Sequence, residues 1–331
     1  MKKAAPLPQN DQHNAQVYST SKRVASASRR PAMVNNPLVA FQEAMRAAGV
    51  FLAADAHITP DGQLHRAHAA DDKAGALSIW YNFHPDAPAS GAAGNWRTGA
   101  RLTWCGKRLQ SLTTAERETL RHRIEEDKRR AQEATEARHR DAATRALRVW
   151  ADAAPANPDH PYLTRKQIAP GIARQSGASL VLPVHDFSGA LHGLQFIQPD
   201  SSKRFISGMR KAGCFTPVNG MPSPDARLLI CEGWATGQTL AALSPGAVVL
   251  AALDAGNMQA VACEARRLFP ALDIVICADL GEIGMTKAKA AAIASRAKWI
   301  WPHLPDDAPA WVNDFNDWSA WRTSQRQGVA S

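Results

Sequence analysis

The C-terminal half of the chain alternates short apolar runs with segments of helical periodicity. Each apolar run is about as long as one buried strand, and the segments between the runs are long enough for helices. The predicted strands are 226–231, 247–253, 271–278 and 298–304, and the predicted helices are 236–243, 258–269 and 286–297. This order predicts an α/β domain over residues 225–320, with a parallel sheet and helices on both faces.

The pattern before residue 225 is more mixed. Short apolar pieces separated by turn signals over residues 36–108 predict a small α+β unit. Residues 109–158 begin with a capping box, Thr113 with Glu116, and continue as a charged helix and a proline-rich linker. Residues 159–224 predict a β-hairpin followed by a basic segment.

Aromatic residues are concentrated in the small N-terminal unit, beside basic residues such as Arg97 and Arg101. Aromatic rings next to arginines can stack on single-stranded bases. They can equally fill the core of a small sheet, which is the interpretation we favour. The residues concerned are Trp80, Tyr81, Phe83, Trp96 and Trp104.

The chain has 331 residues, a net charge of +9 and 45% apolar residues. The charge favours a polyanionic partner, and the apolar content is that of a globular protein. Residues 1–35 are polar and basic and predict a disordered arm, and residues 321–331 predict a tail. Five scattered cysteines without a C-x-x-C pair indicate reduced thiols in a cytoplasmic protein and no zinc ribbon. No apolar run reaches the ~18 residues that span a bilayer, so no membrane segment is expected.

Three acidic residues follow successive predicted strands. Glu232, Asp254 and Asp279 would therefore lie at the same edge of one parallel sheet, where ligand sites form. Converging carboxylates repel one another and favour a bound cation, and oxygen ligands suit Mg²⁺ or Mn²⁺. Asp254 also fits a turn, because it opens the sequence Asp-Ala-Gly-Asn.

Several segments resemble a known family. LLICEGWATGQTLAAL and IVICAD resemble the Toprim domain of primases, topoisomerases and some nucleases. HPYLTRKQI, LVLPVHDFSGALHGLQFIQPDSSKRFISG, AGCF, LDAGN and DFND extend the resemblance to Toprim DNA primase-like proteins of plasmids, phages and integrative elements. The resemblance covers roughly residues 36–320.

The resemblance implies roles for individual residues. Glu232 and Asp279 would be the catalytic residues and metal ligands. A basic segment would contact nucleotide and DNA, with Lys287 meeting a phosphate at the start of the next helix. The residues of that segment are Lys203, Arg204, Arg210 and Lys211.

The sequence departs from the family pattern at the second acid of the D-x-D motif. Gly281 stands where that acid is expected, and Glu282 follows one residue later. Glu282 or Asp314 would complete the metal site, with Asp254 and Asp317 as further ligands. Alternatively, the metal site is weakened, and the protein binds nucleic acid without polymerising nucleotides.

The resemblance implies a DNA primase that makes short RNA primers on single-stranded DNA from ribonucleoside triphosphates, with Mg²⁺ or Mn²⁺. The chain contains no Walker A motif, so a replicative helicase would be a separate partner. One alternative is a catalytically weakened Toprim protein that binds DNA as a replication accessory factor. A third is a Toprim nuclease or strand cleaver, for which Tyr162 is the candidate nucleophile.

Overall fold

The structure, a computed structural model, describes residues 36–329, so the predicted arm at 1–35 lies outside the described residues. The described chain divides into two compact units, residues 36–135 and residues 136–329. The division falls inside the charged helix, whereas the predicted boundaries on either side of that helix lie at 108 and 158. Backbone hydrogen bonds within a helix are local, so one continuous helix can contribute residues to two separate cores.

The N-terminal unit is a four-stranded antiparallel meander covered by a helix, which confirms the predicted α+β character. Its strands pair in the order β1-β2-β3-β4. Asn36 accepts a hydrogen bond from the backbone N–H of Leu38 at 3.0 Å, and Pro37 occupies the first helical position. The elements are α1 Pro37–Ala47, β1 His65–Ala67, β2 Ile79–His84, β3 Ser90–Asn95 and β4 Arg101–Cys105.

The aromatic cluster of this unit forms the core of the small sheet. Trp80, Tyr81 and Phe83 on β2 are buried. Phe41 of α1 stacks on Phe83 with ring centroids 5.0 Å apart. The core interpretation of these three aromatics is therefore confirmed, and their rings are not available to stack on bases.

The helix α2, Thr114–Asp152, is 39 residues long and begins at the predicted capping box. The N–H of Thr113 donates to the Glu116 carboxylate at 3.0 Å, and the N–H of Glu116 donates to Thr113 Oγ1 at 3.2 Å. Its length would suffice to cross a bilayer, but its surface is dense in charge. Across residues 36–329, no helix combines the length and the apolar character of a membrane span.

The C-terminal unit contains a five-stranded antiparallel sheet in the order β5-β6-β7-β8-β9. The predicted hairpin is confirmed as β7 and β8, with Leu180 opposite Ile197. The first two residues of the basic segment, Lys203 and Arg204, lie in the edge strand β9 of this sheet. The elements are β5 Ala154–Pro155, α3 Pro161–Lys166, β6 Arg174–Ser176, β7 Ser179–His185, β8 Leu191–Ile197 and β9 Lys203–Phe205.

The second sheet of this unit confirms the predicted parallel sheet. Its order is β10-β12-β11-β13-β14, in which β11 to β14 are parallel and β10 is an antiparallel edge strand. The elements are β10 Thr216–Pro217, β11 Leu228–Cys231, α4 Trp234–Leu243, β12 Val248–Ala251, α5 Met258–Leu268, β13 Ile274–Cys277, α6 Glu282–Ser295, β14 Lys298–Ile300 and α7 Phe315–Val329.

Helices cover both faces of the parallel sheet because successive strand residues point to opposite sides. Leu229 and Cys231 of β11 pack in the same cluster as α4, whereas Leu228 and Ile230 pack with α5 and α6. Each strand is therefore apolar along its whole length, which explains the uninterrupted apolar runs in the sequence.

One predicted helix start and the predicted C-terminal tail were wrong. The helix predicted to begin at Thr286 begins at Glu282, because Gly281 has φ +117° and its carbonyl already accepts from Met285 N–H at 3.0 Å. Residues 321–329, predicted as part of a tail, continue α7. The buried side chain of Trp321, 8% exposed, helps to hold this helix on the unit.

Candidate active site

The parallel strands bring the predicted acids to one edge. β11 lies between β12 and β13, and Cys231 is in register with both Ala251 and Cys277. Glu232 follows β11 directly, while Asp254 and Asp279 follow its two neighbours within a few residues. The sheet order therefore places Glu232 between the other two acids.

Asp279 is the most perturbed carboxyl group of this edge. Burial raises its pKa first, and the negative charges of Asp314 and Glu232 raise it further, to about 7. Its buried Oδ1 has no hydrogen-bond partner within the protein. A buried carboxylate oxygen without a donor is costly unless a cation or a water molecule satisfies it.

Glu232 is also half-buried, and its pKa is raised. Burial is the largest cause, followed by the charge of Asp254. Lys203 on β9 and the backbone N–H of Ala255 act in the opposite direction. Lys203 also opposes the rise in the pKa of Asp279, so this one lysine acts on both carboxyl groups.

Asp254 serves the turn that the sequence predicted and lies beside the edge as well. Its Oδ1 accepts from the N–H of Asn257 at 2.9 Å, and its other oxygen forms an ion pair with Lys211. Leu253, just before it, has φ +77°, a strained conformation for a branched side chain. The buried amide of Asn257 donates to Cys214 and Ala252 carbonyl oxygens, both at 2.8 Å, and so holds this turn in place.

Asp314 and Asp317 lie at the start of α7. Asp314 Oδ1 accepts from the N–H of Asp317 at 2.8 Å, as a helix-capping residue does. Asp317 pairs with Lys166 Nζ at 2.9 Å, and Asn316 donates to the Lys166 carbonyl at 2.8 Å. Lys166 and Asn316 were not predicted as site residues, since their partners lie about 150 residues away along the chain.

The predicted metal ligands do not form a closed cage. Among residues 36–329, no three Asp, Glu, His or Cys side chains lie close enough together to hold a metal ion. Glu282 is exposed in the first turn of α6. Mg²⁺, however, usually binds through one or two carboxylates together with water and substrate phosphates. The all-oxygen donors and the unpartnered oxygen of Asp279 fit such a partial site.

The predicted basic residues divide into two groups. Lys203 and Lys211 lie beside the acids, and Lys211 also lies over the ring of Phe205 at 5.0 Å. Arg210 instead contacts Asp186 at 3.4 Å, and Arg204 alternates with Lys203 on the exposed strand β9.

Lys287 is not at a helix terminus. Because α6 begins at Glu282, Lys287 is the sixth residue of the helix and lies in its second turn, where it is exposed. The backbone N–H groups that bind phosphates are those of the first turn. The predicted reason for phosphate binding by Lys287 is therefore wrong.

Tyr162 is unsuitable as a nucleophile for strand cleavage. It is 1% exposed, and its ring stacks on Trp234 with centroids 6.5 Å apart. Burial and the charge of Asp314 raise the pKa of its hydroxyl to about 12. A DNA phosphate could not reach this hydroxyl without unfolding of the surrounding core.

Comparison with known families identifies the parallel-sheet region. Residues 227–322 match the sequence profile of the Toprim domain. This part of the chain is a Toprim domain. The match covers the strand ends that carry Glu232, Asp254 and Asp279, and it confirms the resemblance on which their roles were predicted.

The longer resemblance extends to DNA primases. One DNA primase TraC of Escherichia coli is 34% identical over 320 residues, which cover 87% of this chain and 21% of the relative. A second DNA primase TraC of Escherichia coli is 34% identical over 277 residues, covering 79% of this chain and 26% of the relative. The chain thus spans about a fifth to a quarter of the length of these curated relatives.

Solved primase structures show weaker similarity. The primase fragment of the bacteriophage T7 primase-helicase protein superposes with a TM-score of 0.39 at 15% identity, covering 51% of this chain and 72% of that chain. The E. coli primase catalytic core gives 0.32 at 15% identity, with 60% and 72% covered.

Proposed function

We propose that this chain is a DNA primase-like nucleotidyltransferase that makes short RNA primers on single-stranded DNA. The observation that carries the proposal is the convergence of Glu232 and Asp279 at the ends of two adjacent strands, with Lys203 acting on both. The names of the 34% identical relatives support the same activity.

A divalent cation, Mg²⁺ or Mn²⁺, would be held by Glu232 and Asp279 and completed by water and phosphate oxygens. When bound, such an ion stabilises the negative charge that develops during phosphoryl transfer. The pKa of Asp279, about 7, means that a cation competes with a proton for this carboxylate. Metal affinity should therefore rise as the pH increases towards neutrality.

The lysines of the chain would act on the nucleotide itself. Lys203 lies beside both carboxyl groups and would neutralise phosphate oxygens brought to the edge. Lys211 is held by Asp254 in the free protein and would exchange this partner for a phosphate. Ribonucleoside triphosphates are the substrates proposed for this position, and single-stranded DNA is the template.

Primer synthesis on single-stranded DNA with labelled ribonucleotides tests the proposal. The comparison is between wild type, Glu232→Gln and a matched control, Glu264→Gln, whose side chain pairs with Arg267 on the exposed surface of α5. We expect short products from wild type and from the control, and none from Glu232→Gln. Equal amounts of product from both variants would show that Glu232 is not required for the reaction.

A replication accessory role is the second candidate, because Gly281 replaces the expected acid and Glu282 is exposed. No product from folded wild-type protein supplied with either metal would favour this role. Metal-dependent cleavage of the template in the same gel, lost in Glu232→Gln, would instead indicate a nuclease. A helicase partner and a cytoplasmic location stay predictions.

A further inference from the structure

A cleft of about 390 Å³ opens between α7 and the segment that follows β14. One wall is formed by α7, and His303 lies on the opposite wall. We call it the aromatic–arginine cleft. Its α7 wall consists of Trp318, Trp321, Arg322, Gln325 and Arg326.

The residues of the α7 wall are spaced as one face of a helix. Their separations from Trp318 are three, four, seven and eight residues, which align on a single stripe. Trp321 is 8% exposed and forms the buried base of the stripe. The guanidinium of Arg322 lies over the ring of Trp318 at 4.8 Å, so a planar cation and a flat aromatic ring are already stacked.

The charged side chains that line the cleft are all positive. Two of its residues are arginines, and none of the described residues that line it is acidic. The nearby acids Asp306 and Asp307 are exposed and belong to a part of the loop that does not line the cleft. Aromatic faces interleaved with guanidinium groups suit nucleobases joined by phosphates.

The cleft is close to the acidic edge along α7. The helix begins just after Asp314, whose charge acts on Asp279. At 1.5 Å per residue, positions 318 to 326 lie about 6–18 Å along the helix from Asp314. An extended strand of a few nucleotides would cover this distance.

We propose that the aromatic–arginine cleft binds single-stranded DNA, with a base stacked on Trp318 and adjacent phosphates on Arg322 and Arg326. The strand would be the template on its way to the acidic edge, and in this respect the inference rests on the proposed function. Binding itself requires neither the metal nor Glu232.

The test measures the affinity of the full chain for a fluorescently labelled dT20 by anisotropy at several salt concentrations. Trp318→Ala should weaken binding roughly five- to a hundredfold, the range of one base–aromatic stack. Arg322→Gln with Arg326→Gln should flatten the salt dependence by about one unit per arginine. The matched controls are Trp311→Ala, an exposed tryptophan outside the cleft, and Arg148→Gln, an exposed arginine on α2.

Trp318→Phe keeps an aromatic face and should retain most of the affinity, which separates stacking from a loss of fold. Equal affinities for the cleft variants and their controls would overturn the proposal. Weakened binding of ATP alone, with dT20 binding unchanged, would overturn it in favour of a free nucleotide. Weakened binding of a polyglutamate peptide but not of dT20 would overturn it in favour of an acidic protein partner.

The same variants distinguish this inference from the proposed function. Glu232→Gln should bind dT20 like wild type while making no primers. If wild-type protein makes no primers but binds dT20 through the cleft, the primase proposal fails and the cleft proposal stands. If primers are made and the cleft variants bind normally, the cleft proposal fails alone.

Discussion

Two turns of the C-terminal unit each contain an aspartate removed in part from solvent, and the pKa values of the two are shifted in opposite directions. Asp186 lies in the turn between β7 and β8, and Asp279 lies at the end of β13. Burial alone would raise the pKa of Asp186, but hydrogen bonds from Ser188 and His192 outweigh it and lower this pKa to about 2. The pKa of Asp279 is raised to about 7, because burial and neighbouring carboxylates have no comparable donors opposing them.

The two aspartates differ in depth of burial, since Asp279 lies deeper, and they differ as much in their partners. Asp186 accepts from Ser188 Oγ at 2.6 Å, pairs with His192 Nε2 at 2.8 Å and contacts Arg210 at 3.4 Å. Asp279 has a buried oxygen without any partner. A satisfied carboxylate stabilises the fold, whereas an unsatisfied one at a cluster of like charges is typical of a functional site.

The largest effect that we expect from changing one of these aspartates is on activity. Asp279→Asn keeps the size of the side chain and removes a charge that would hold the cation. Primer synthesis should therefore fall at least about a hundredfold, which is the loss typical of removing one stabilising group from a reaction centre. The measurement is the rate of labelled primer synthesis per folded protein. Activity within tenfold of wild type would show that Asp279 is not required.

Stability should respond to the two aspartates with opposite signs. At pH 8, Asp279→Asn should stabilise the C-terminal unit by roughly 1–3 kcal/mol, because it removes the repulsion that raises the pKa. Asp186→Asn should destabilise it by a similar amount, because the turn loses its charged acceptor. Melting temperatures should shift by about 2–4 °C per kcal/mol. Shifts of the same sign would refute the comparison.

The pH dependence sharpens this comparison. The folded state binds a proton on Asp279 more tightly than the unfolded chain does, so stability is lost as the pH rises from about 3.8 to about 7. The advantage of Asp279→Asn over wild type should therefore grow across that window and be constant above it. Asp186 contributes stability that is present above its unfolded pKa of 3.8 and is lost as the pH falls towards 2. A pH series of melting curves for the three proteins measures both.

The smallest expected effect is that of the metal on stability. A cation bound to the folded state at ten times its Kd adds about 1.4 kcal/mol. Adding Mg²⁺ or Mn²⁺ at pH 8 should therefore raise the melting temperature of wild type by a few degrees. The increase should be absent in Asp279→Asn and retained in Asp186→Asn. An equal increase in all three proteins would place the metal elsewhere.

Much of the fold follows from local patterns in the sequence. The uninterrupted apolar runs that became β11 to β13, the hairpin of β7 and β8 and the capping box at Thr113 were predicted, because each depends on neighbours a few residues away. The start of α6 was misplaced by four residues, since Gly281 and Glu282 carry no strong helix-starting signal. The helix α7 was not predicted, and its second half was taken for a tail, because this helix depends on burial of Trp321 against the rest of the unit.

In the candidate site, too, the local features were predicted from the sequence and the long-range contacts were not. The sequence by itself determined which acids end the strands, Glu232, Asp254 and Asp279, because strand ends and turns are local features. The tertiary structure alone decided which charges act on the predicted site residues. Lys203 acts on Glu232 and Asp279, Lys166 pairs with Asp317, and Asp186 pairs with Arg210. Charge interactions depend on distance in space and on burial, and neither can be read from the separation of two residues along the chain.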